Sequence, residues 1–310
     1  MIRHKDRYFV SFLEEYCSSR NIKLTSLPGD WVYILTSASC QHIVMGYDMG
    51  LNSSIAAKIC NEKFATFNVL NACGVPAIPH HLFLPPEKRA YSATFGQGNW
   101  LEMLRLHESF GHRTVVKQND GTGGHNVFLA TDQEQLEASV SRIFSETHNV
   151  ALSPFSPLDR EVRFIILNSN VLLCHEYVRP NVMGDGKSSV QDLMRAKDEL
   201  FGFPADPTID LEEVLPKGDI RKLGFQRKVP GAEIFPLDAH TVSDARQLAQ
   251  RAFSSLGLNF ASIDVVLTDQ GWKVLEAHSG VMIEGPFRCG RISHQKLFSV
   301  YAAALDCVGF

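Results

Sequence analysis

Apolar positions along this chain recur at two spacings, one helical and one strand-like, and the switches between them mark its elements. Residues 7–19 predict a helix and WVYILTS (31–37) a strand. In residues 61–73, Phe64, Phe67 and Leu70 fall at helical spacing, and Gly74 with Pro76 stops the run. Residues 79–98 are rich in proline, glycine and histidine and read as irregular. A helix is expected over 99–110, strands over 114–117 and 126–130, and a helix over 132–144 with Asp132 as its N-cap. Ser153-Pro-Phe-Ser-Pro157 interrupts the pattern and reads as a joint between subdomains. Strands follow at 161–167 and 171–177 around an Asn168-Ser169-Asn170 turn, and 204–223 is charged and irregular. The chain then predicts a helix over 241–256, strands over 261–267 and 272–278, and a last helix near 293–305. Strands joined by short turns with helices interspersed imply an α+β fold with mixed or antiparallel sheets and helices on one face. The expected organisation is a short N-terminal region (1–60), a subdomain over 61–152 and a second over 153–310.

Two stretches carry chemistry. In VVKQNDGTGGHNV (115–127) an apolar strand runs into Lys117, and a glycine-dense turn follows. Such glycines let a loop present successive backbone N–H groups and take φ > 0 without steric cost, while Lys117 adds a positive charge beside them. The combination suits a polyphosphate. It matches neither G-x-x-x-x-G-K-[ST] nor a G-x-G-x-x-G leading into a helix. At this point a plain hairpin turn with a solvated lysine explains it equally well.

The second stretch is SIDVVLTDQGWKVLEAH (262–278). A three-residue loop, Asp269-Gln270-Gly271, places Thr268 opposite Trp272 and Asp264 opposite Glu276, with His278 on the same face. A two-residue loop would send Asp264 and Glu276 to opposite faces. Directly opposed carboxylates among Ile263, Val265, Val266, Val274 and Leu275 are costly, and a divalent cation compensates them. Oxygen ligands suit Mg²⁺. The alternative is a solvated sheet face with nearby cations.

Composition narrows the class. With 45% hydrophobic and 21% charged residues, the 310-residue chain reads as globular, large enough for two or three subdomains. A net charge of −4 argues against a nucleic-acid or anionic-membrane partner. No run reaches the roughly 18 apolar residues of a membrane span, and MIRHKDRYFV lacks a signal-peptide core. Seven scattered cysteines with no C-x-x-C pair indicate neither a zinc site nor a disulfide framework, so a cytoplasmic setting is expected. His80, His81 and His125 lie near loops and are candidates for acid–base work, against the commoner structural role of a loop histidine.

Together these residues resemble the ATP-grasp superfamily of carboxylate–amine ligases, in particular the ATP-grasp modules of cyanophycin synthetase and bifunctional glutathione synthetases, over about residues 51–287. The resemblance rests on GLNSSIAAKICNEKFATFNVLNACGVP, VVKQNDGTGGHNV, REVRFIIL, VRPNVMGDGKSSVQDLM and IDVV…VLEAH, in that order. It implies an ATP-grasp fold in which two α/β subdomains clasp ATP between their sheets, after a short N-terminal α/β region. It also implies that Lys63 and Lys117 reach the nucleotide phosphates and that Gly121, Thr122, Gly123 and Gly124 form a lid over them. Ser153, Pro154, Phe155 and Ser156 would form the adenine hinge, Glu161 would hold the ribose, and Arg163 would lie near the reacting phosphate. Asp264, Glu276 and His278 would hold the metal. The implied reaction joins a carboxylate to an amine through an acyl phosphate, with ATP and Mg²⁺ and with amino acids or short peptides as substrates. A homodimer is compatible with this family. Arg227 and Arg288 are candidates to clamp a substrate carboxylate, with Arg288 also near the chemistry, and Glu284 to receive an α-ammonium. Ordinary surface salt bridges explain those three equally well.

Two positions depart from the family pattern. His278 stands where asparagine is usual, and imidazole is a poorer Mg²⁺ ligand than an amide oxygen, which leaves the number of metals open and admits Mn²⁺. Ser153 stands where the hinge usually carries an acid. GDGKSS (184–189) imitates the tail of a Walker A loop, but Asn181 replaces the leading glycine, so it reads as a loop or strand edge near the cleft. The rival functions are an ATP-grasp kinase that needs no amine and a catalytically silent nucleotide-binding module.

Overall fold

The computed structural model describes residues 7–85, 100–156, 160–177, 179–197, 200, 205, 209–224, 234–236, 238 and 240–310. Helix α1 (Tyr8–Ser19) buries Phe9, Phe12, Leu13 and Tyr16 along one stripe at helical spacing. Strands β1 (Lys23–Ser26), β2 (Val32–Thr36) and β3 (Gln41–Met45) form an antiparallel sheet in that order. Of these, only β2 was legible in the sequence.

The single helix expected over 61–73 is the second of two. Helix α2 (Ser54–Asn61), capped by the Ser53 side chain, ends at Glu62, whose extended backbone (φ −119°, ψ 115°) separates it from α3 (Lys63–Ala72). Thr66 and Leu70 are the buried positions of α3, and Phe64 and Phe67 are half-buried.

Strand β4 (His81–Phe83), helix α4 (Trp100–Ser109), strands β5 (Thr114–Gln118) and β6 (Val127–Ala130), helix α5 (Gln133–Glu146) and strand β7 (Val150–Pro154) complete the next layer. The four strands are antiparallel in the order β4-β7-β5-β6. Asp132 caps α5 as expected, its side chain accepting from Gln135 N–H at 2.8 Å. Ser153 and Pro154, expected in a break, instead end β7, where Ser153 pairs with Val115 and Pro154 with Thr114. Proline is tolerated there because the ladder is ending.

The largest sheet joins β8 (Arg160–Leu167), β9 (Asn170–Tyr177), β12 (Ile234–Pro236), β13 (Phe260–Thr268) and β14 (Gly271–His278) in the order β12-β9-β8-β13-β14. Between them lie β10 (Asn181–Met183), α6 (Val190–Arg195) and β11 (Ile220–Lys222), a small unit around Val182, Val190, Leu215 and Leu223. Helices α7 (Ser243–Ser255), α8 (Glu284–Arg288) and α9 (His294–Asp306) complete the described elements. Every strand ladder described is antiparallel.

The large sheet is covered on both faces, where helices on one face were expected. Val162, Phe164, Ile166, Ile263 and Val265 pack with α7 and α2 residues such as Ala249, Phe253 and Ala56. On the other face, Ile165, Leu167, Leu173 and Phe260 join the core of α1, the N-terminal sheet and α9. That second cover reaches only part of the sheet, and the charged residues occupy the rest of the same face.

The β13–β14 hairpin brings Asp264 opposite Glu276 by another route than expected. Its loop has two residues, with Thr268 paired to Gly271 (φ 93°). A bulge between Asp264 and Val265 then absorbs one residue of β14, so Val265 faces Val274 and Asp264 still faces Glu276. The shorter loop alone would have put the carboxylates on opposite faces, and the bulge reverses that.

Candidate functional site

Strand register builds a row of ionisable groups across the large sheet. His175 pairs with Arg163, Arg163 with Asp264, and Asp264 with Glu276. One row toward the core, Ser262 lies between Ile165 and His278, so the polar row borders the N-terminal core directly. Two residues from Arg163 along β8, on the same face, stands Glu161.

Arg163 grips Asp264 with a two-pronged contact, Nε to Oδ1 at 2.6 Å and a terminal nitrogen to Oδ2 at 2.8 Å. Asp264 is fully buried and Arg163 nearly so. This is the fork geometry in which arginine and carboxylate bind most strongly. Burial disfavours the Arg163 charge, but Asp264 and its neighbours outweigh it and raise its pKa. His278 Nε2 lies 3.6 Å from Asp264 Oδ2 and 3.5 Å from Glu276 Oε2.

The four-stranded sheet and helix α3 supply the cations. Lys117 on β5 is buried, and its ammonium sits 3.5 Å from Glu276 Oε1. Lys63, the first residue of α3, donates to the Gly121 carbonyl at 2.6 Å and the Asn119 carbonyl at 3.3 Å. Helix α3 has no side-chain cap of its own. Asn119 serves instead from the β5–β6 loop, accepting from Phe64 N–H on its side chain (3.0 Å) and from Lys63 N–H on its carbonyl (3.1 Å). The loop therefore starts from a fixed point, and turns through Gly123 (φ 65°), Gly124 (φ 70°) and Asn126 (φ 52°) before β6. Lys63, Gly121, Thr122, Glu276 and His278 line one cleft.

Electrostatics in this cleft are strongly coupled. Burial raises the Glu276 pKa, but Lys63, His278 and Lys117 outweigh it and hold the carboxyl well below the usual range. Burial lowers the His278 pKa, and the Asp264 and Glu276 carboxylates raise it by more. Asp264, Glu276 and His278 each turn one ligand atom toward the others, all within 4.8 Å, which makes them the one such group among the described residues. This donor set fits a divalent cation. Asp264 accepts Arg163 on both oxygens, and a carboxylate oxygen can accept more than one contact.

The remaining expected residues divide. Glu161 is buried and accepts from Arg179 at 3.1 Å, within the row's neighbourhood. Phe155 donates its N–H to the Arg113 carbonyl (2.9 Å), and the Arg113 guanidinium lies 4.2 Å from its ring centre. Ser156 follows β7 and is half-buried. Glu284 and Arg288 belong to a different cluster. Glu284 accepts from Phe9 N–H (3.0 Å), Tyr47 O–H (2.9 Å) and Arg288 (2.8 Å), and Arg288 lies over the Tyr8 ring. They pin α8 to the N-terminal region. Arg227 lies outside the described residues. In GDGKSS, Asp185, Gly186 and Lys187 are exposed and Gly184 is buried, and Asp185 accepts from the N–H groups of Lys187 and Ser188. Asn119, Arg179 and His175 were not singled out from sequence, because each acts through partners distant along the chain.

No family model matches the chain. It is 27% identical over 200 residues to the bifunctional glutathione biosynthesis protein of Streptococcus mutans, covering 61% of this chain and 24% of that protein. The chain thus spans about a quarter of the length of that curated relative. Among solved structures it is similar to D-alanine–D-alanine ligase from Bacillus anthracis (TM-score 0.51, 14% identity, 83% of this chain and 71% of that one). It is similar also to the ATP-grasp ligase PsnB with a precursor peptide and AMPPNP (TM-score 0.50, 14% identity, 83% and 62%). No described helix is long and apolar enough to cross a membrane. With antiparallel sheets that bring two lysines against a carboxylate hairpin, this chain has the ATP-grasp fold.

Proposed function

We propose that the chain is an ATP-dependent carboxylate–amine ligase that activates a carboxylate as an acyl phosphate and releases ADP and phosphate. The observation that carries this reading is the meeting of Lys63 with Glu276 and His278, from opposite halves of the chain, in one cleft, with the Lys117 ammonium 3.5 Å from the Glu276 carboxylate. Two buried or half-buried lysines suit a polyphosphate, and a carboxylate pair with an imidazole suits its divalent counter-ion. Phosphoryl transfer needs mainly positioning and charge neutralisation, which such a cleft supplies.

In this reading Lys63, Lys117 and the N–H groups of the 121–124 loop hold the phosphates. Asp264, Glu276 and His278 hold Mg²⁺ or Mn²⁺, which when bound neutralises the polyphosphate charge. Arg163, kept in place by Asp264, faces the transferring phosphoryl group. A carboxylate oxygen attacks the γ-phosphorus and the bond to the β-phosphate oxygen breaks, leaving ADP. An amine then attacks the acyl carbon and expels phosphate. Closure of the loop excludes water from the acyl phosphate. Amino acids or short peptides are the substrate class, in keeping with similarity to a glutathione biosynthesis protein, a D-alanine–D-alanine ligase and an ATP-grasp ligase solved with a precursor peptide.

The test is ADP release across a panel of amino-acid pairs. Release that requires both a carboxylate and an amine supports the ligase. Equal release without amine, with a stable phosphate ester accumulating, indicates a kinase, and no turnover with any pair indicates a silent binding module.

A further inference from the structure

His80 sits where the two sheets meet. The segment leading to it is held to β14 by Ile78 N–H to the Val274 carbonyl and Val274 N–H to the Pro76 carbonyl, both 2.9 Å, two residues before Glu276. Immediately after His80 the chain enters β4, where Leu82 pairs with Ala151 and Ala151 with Lys117. His80 precedes Leu82 by two residues and so continues the face that carries Lys117. One segment thus touches the strand of Glu276 and the sheet of Lys117, with a histidine at the crossing.

The side chain is 1% exposed, and neither ring nitrogen has a well-formed hydrogen bond among the described residues. Burial, Lys117 and Lys63 disfavour the protonated ring, and they outweigh the Glu276 carboxylate and the Ile78 carbonyl, which favour it, so the imidazole stays neutral. A buried polar ring left unsatisfied is costly. A neutral imidazole has one donor and one acceptor nitrogen. The ammonium groups beside it are donors only, and the ligand expected in this cleft offers acceptors only.

We propose that His80 is a nucleotide-positioning residue: one ring nitrogen accepts from the Lys117 ammonium and the other donates its N–H to a polyphosphate oxygen. This rests on the reading of the cleft as an ATP site. Both ring nitrogens are satisfied only when nucleotide is bound, and Lys117 keeps a partner when Glu276 turns toward a metal. The apo protein thus carries an unsatisfied group that the nucleotide completes.

The experiment compares Mg-ADP affinity by calorimetry for the unaltered chain, His80→Leu and His80→Gln. Loss of a hydrogen bond to a charged group predicts that His80→Leu weakens Mg-ADP binding by about tenfold or more. The amide of His80→Gln keeps a donor and an acceptor and restores most of it. Nucleotide-free His80→Leu melts no lower than the unaltered chain, since it removes an unsatisfied buried group. Equal Mg-ADP affinity for His80→Leu and the unaltered chain overturns the proposal, as does equal loss in both variants, which would mean that shape and not polarity matters. In the unaltered protein, the His80 ring ¹⁵N signals, assigned by their loss in His80→Gln, shift on addition of Mg-ADP, and unmoved signals overturn it without reference to any variant's folding. If the unaltered chain binds no Mg-ADP, the ATP reading itself fails, and His80's role with it.

Discussion

Two charged clusters in this molecule look alike in sequence and differ in structure. Around Glu284, a buried carboxylate receives a backbone N–H, a tyrosine hydroxyl and an arginine, so its polar capacity is well used by protein. Around Glu276, the contacts are longer: Lys117 at 3.5 Å and His278 at 3.5 Å, beside a second carboxylate already gripped by Arg163. The first cluster is closed and ties α8 to α1 and the N-terminal sheet. The second is assembled from two sheets and keeps ligand capacity. A carboxylate with short protein contacts on all sides reads as architecture, and one held at ion-pair distance among buried and half-buried cations reads as a site.

The sharpest way to break this contrast is at Arg163. Arg163→Met removes the two-pronged partner of the buried Asp264, and should cost about 3–5 kcal/mol of stability in urea denaturation. Pairing it with Asp264→Leu should recover most of that stability while nucleotide binding stays lost. Next, Glu276→Gln should lower turnover by about a hundredfold, equivalent to ~2.7 kcal/mol, with little change in melting temperature. Glu284→Ala should do the reverse, lowering stability by about 2–3 kcal/mol with nucleotide affinity unchanged. Asn119→Ala removes the cap of α3 from across the cleft and should cost about 1 kcal/mol, and because Asn119 also orders Lys63, it should weaken Mg-ADP binding as well. Should Glu284→Ala and Glu276→Gln instead show the same profile, the two clusters are not different in kind.

Strong local patterns were readable in the sequence. Asp132 announced its helix, and the two apolar runs around Asp269-Gln270-Gly271 announced the hairpin. Even there the loop length was misjudged, and the bulge that corrected it leaves no mark in a period-two pattern. Strand β7 was missed because VALSP is short and ends in proline, and α2 because its apolar face is only two turns long. In the cleft, Lys117, Asp264 and Glu276 stood out as charges inside apolar strands. Glu284 and Arg288 stood out equally, and only the Phe9 and Tyr47 contacts separate them from the cleft. Asn119 carries no signature and His80 stood out only as a loop histidine, because what each does depends on partners that the fold, and not the chain, makes adjacent.

The most direct test of the central claim follows the oxygen atoms. With the substrate carboxylate labelled in ¹⁸O, and an amino-acid pair that supports ADP release, phosphate released during turnover is analysed by mass spectrometry. Acyl phosphate formation in this cleft predicts one labelled oxygen transferred to each phosphate. Phosphate carrying no label, with turnover unchanged, would contradict it.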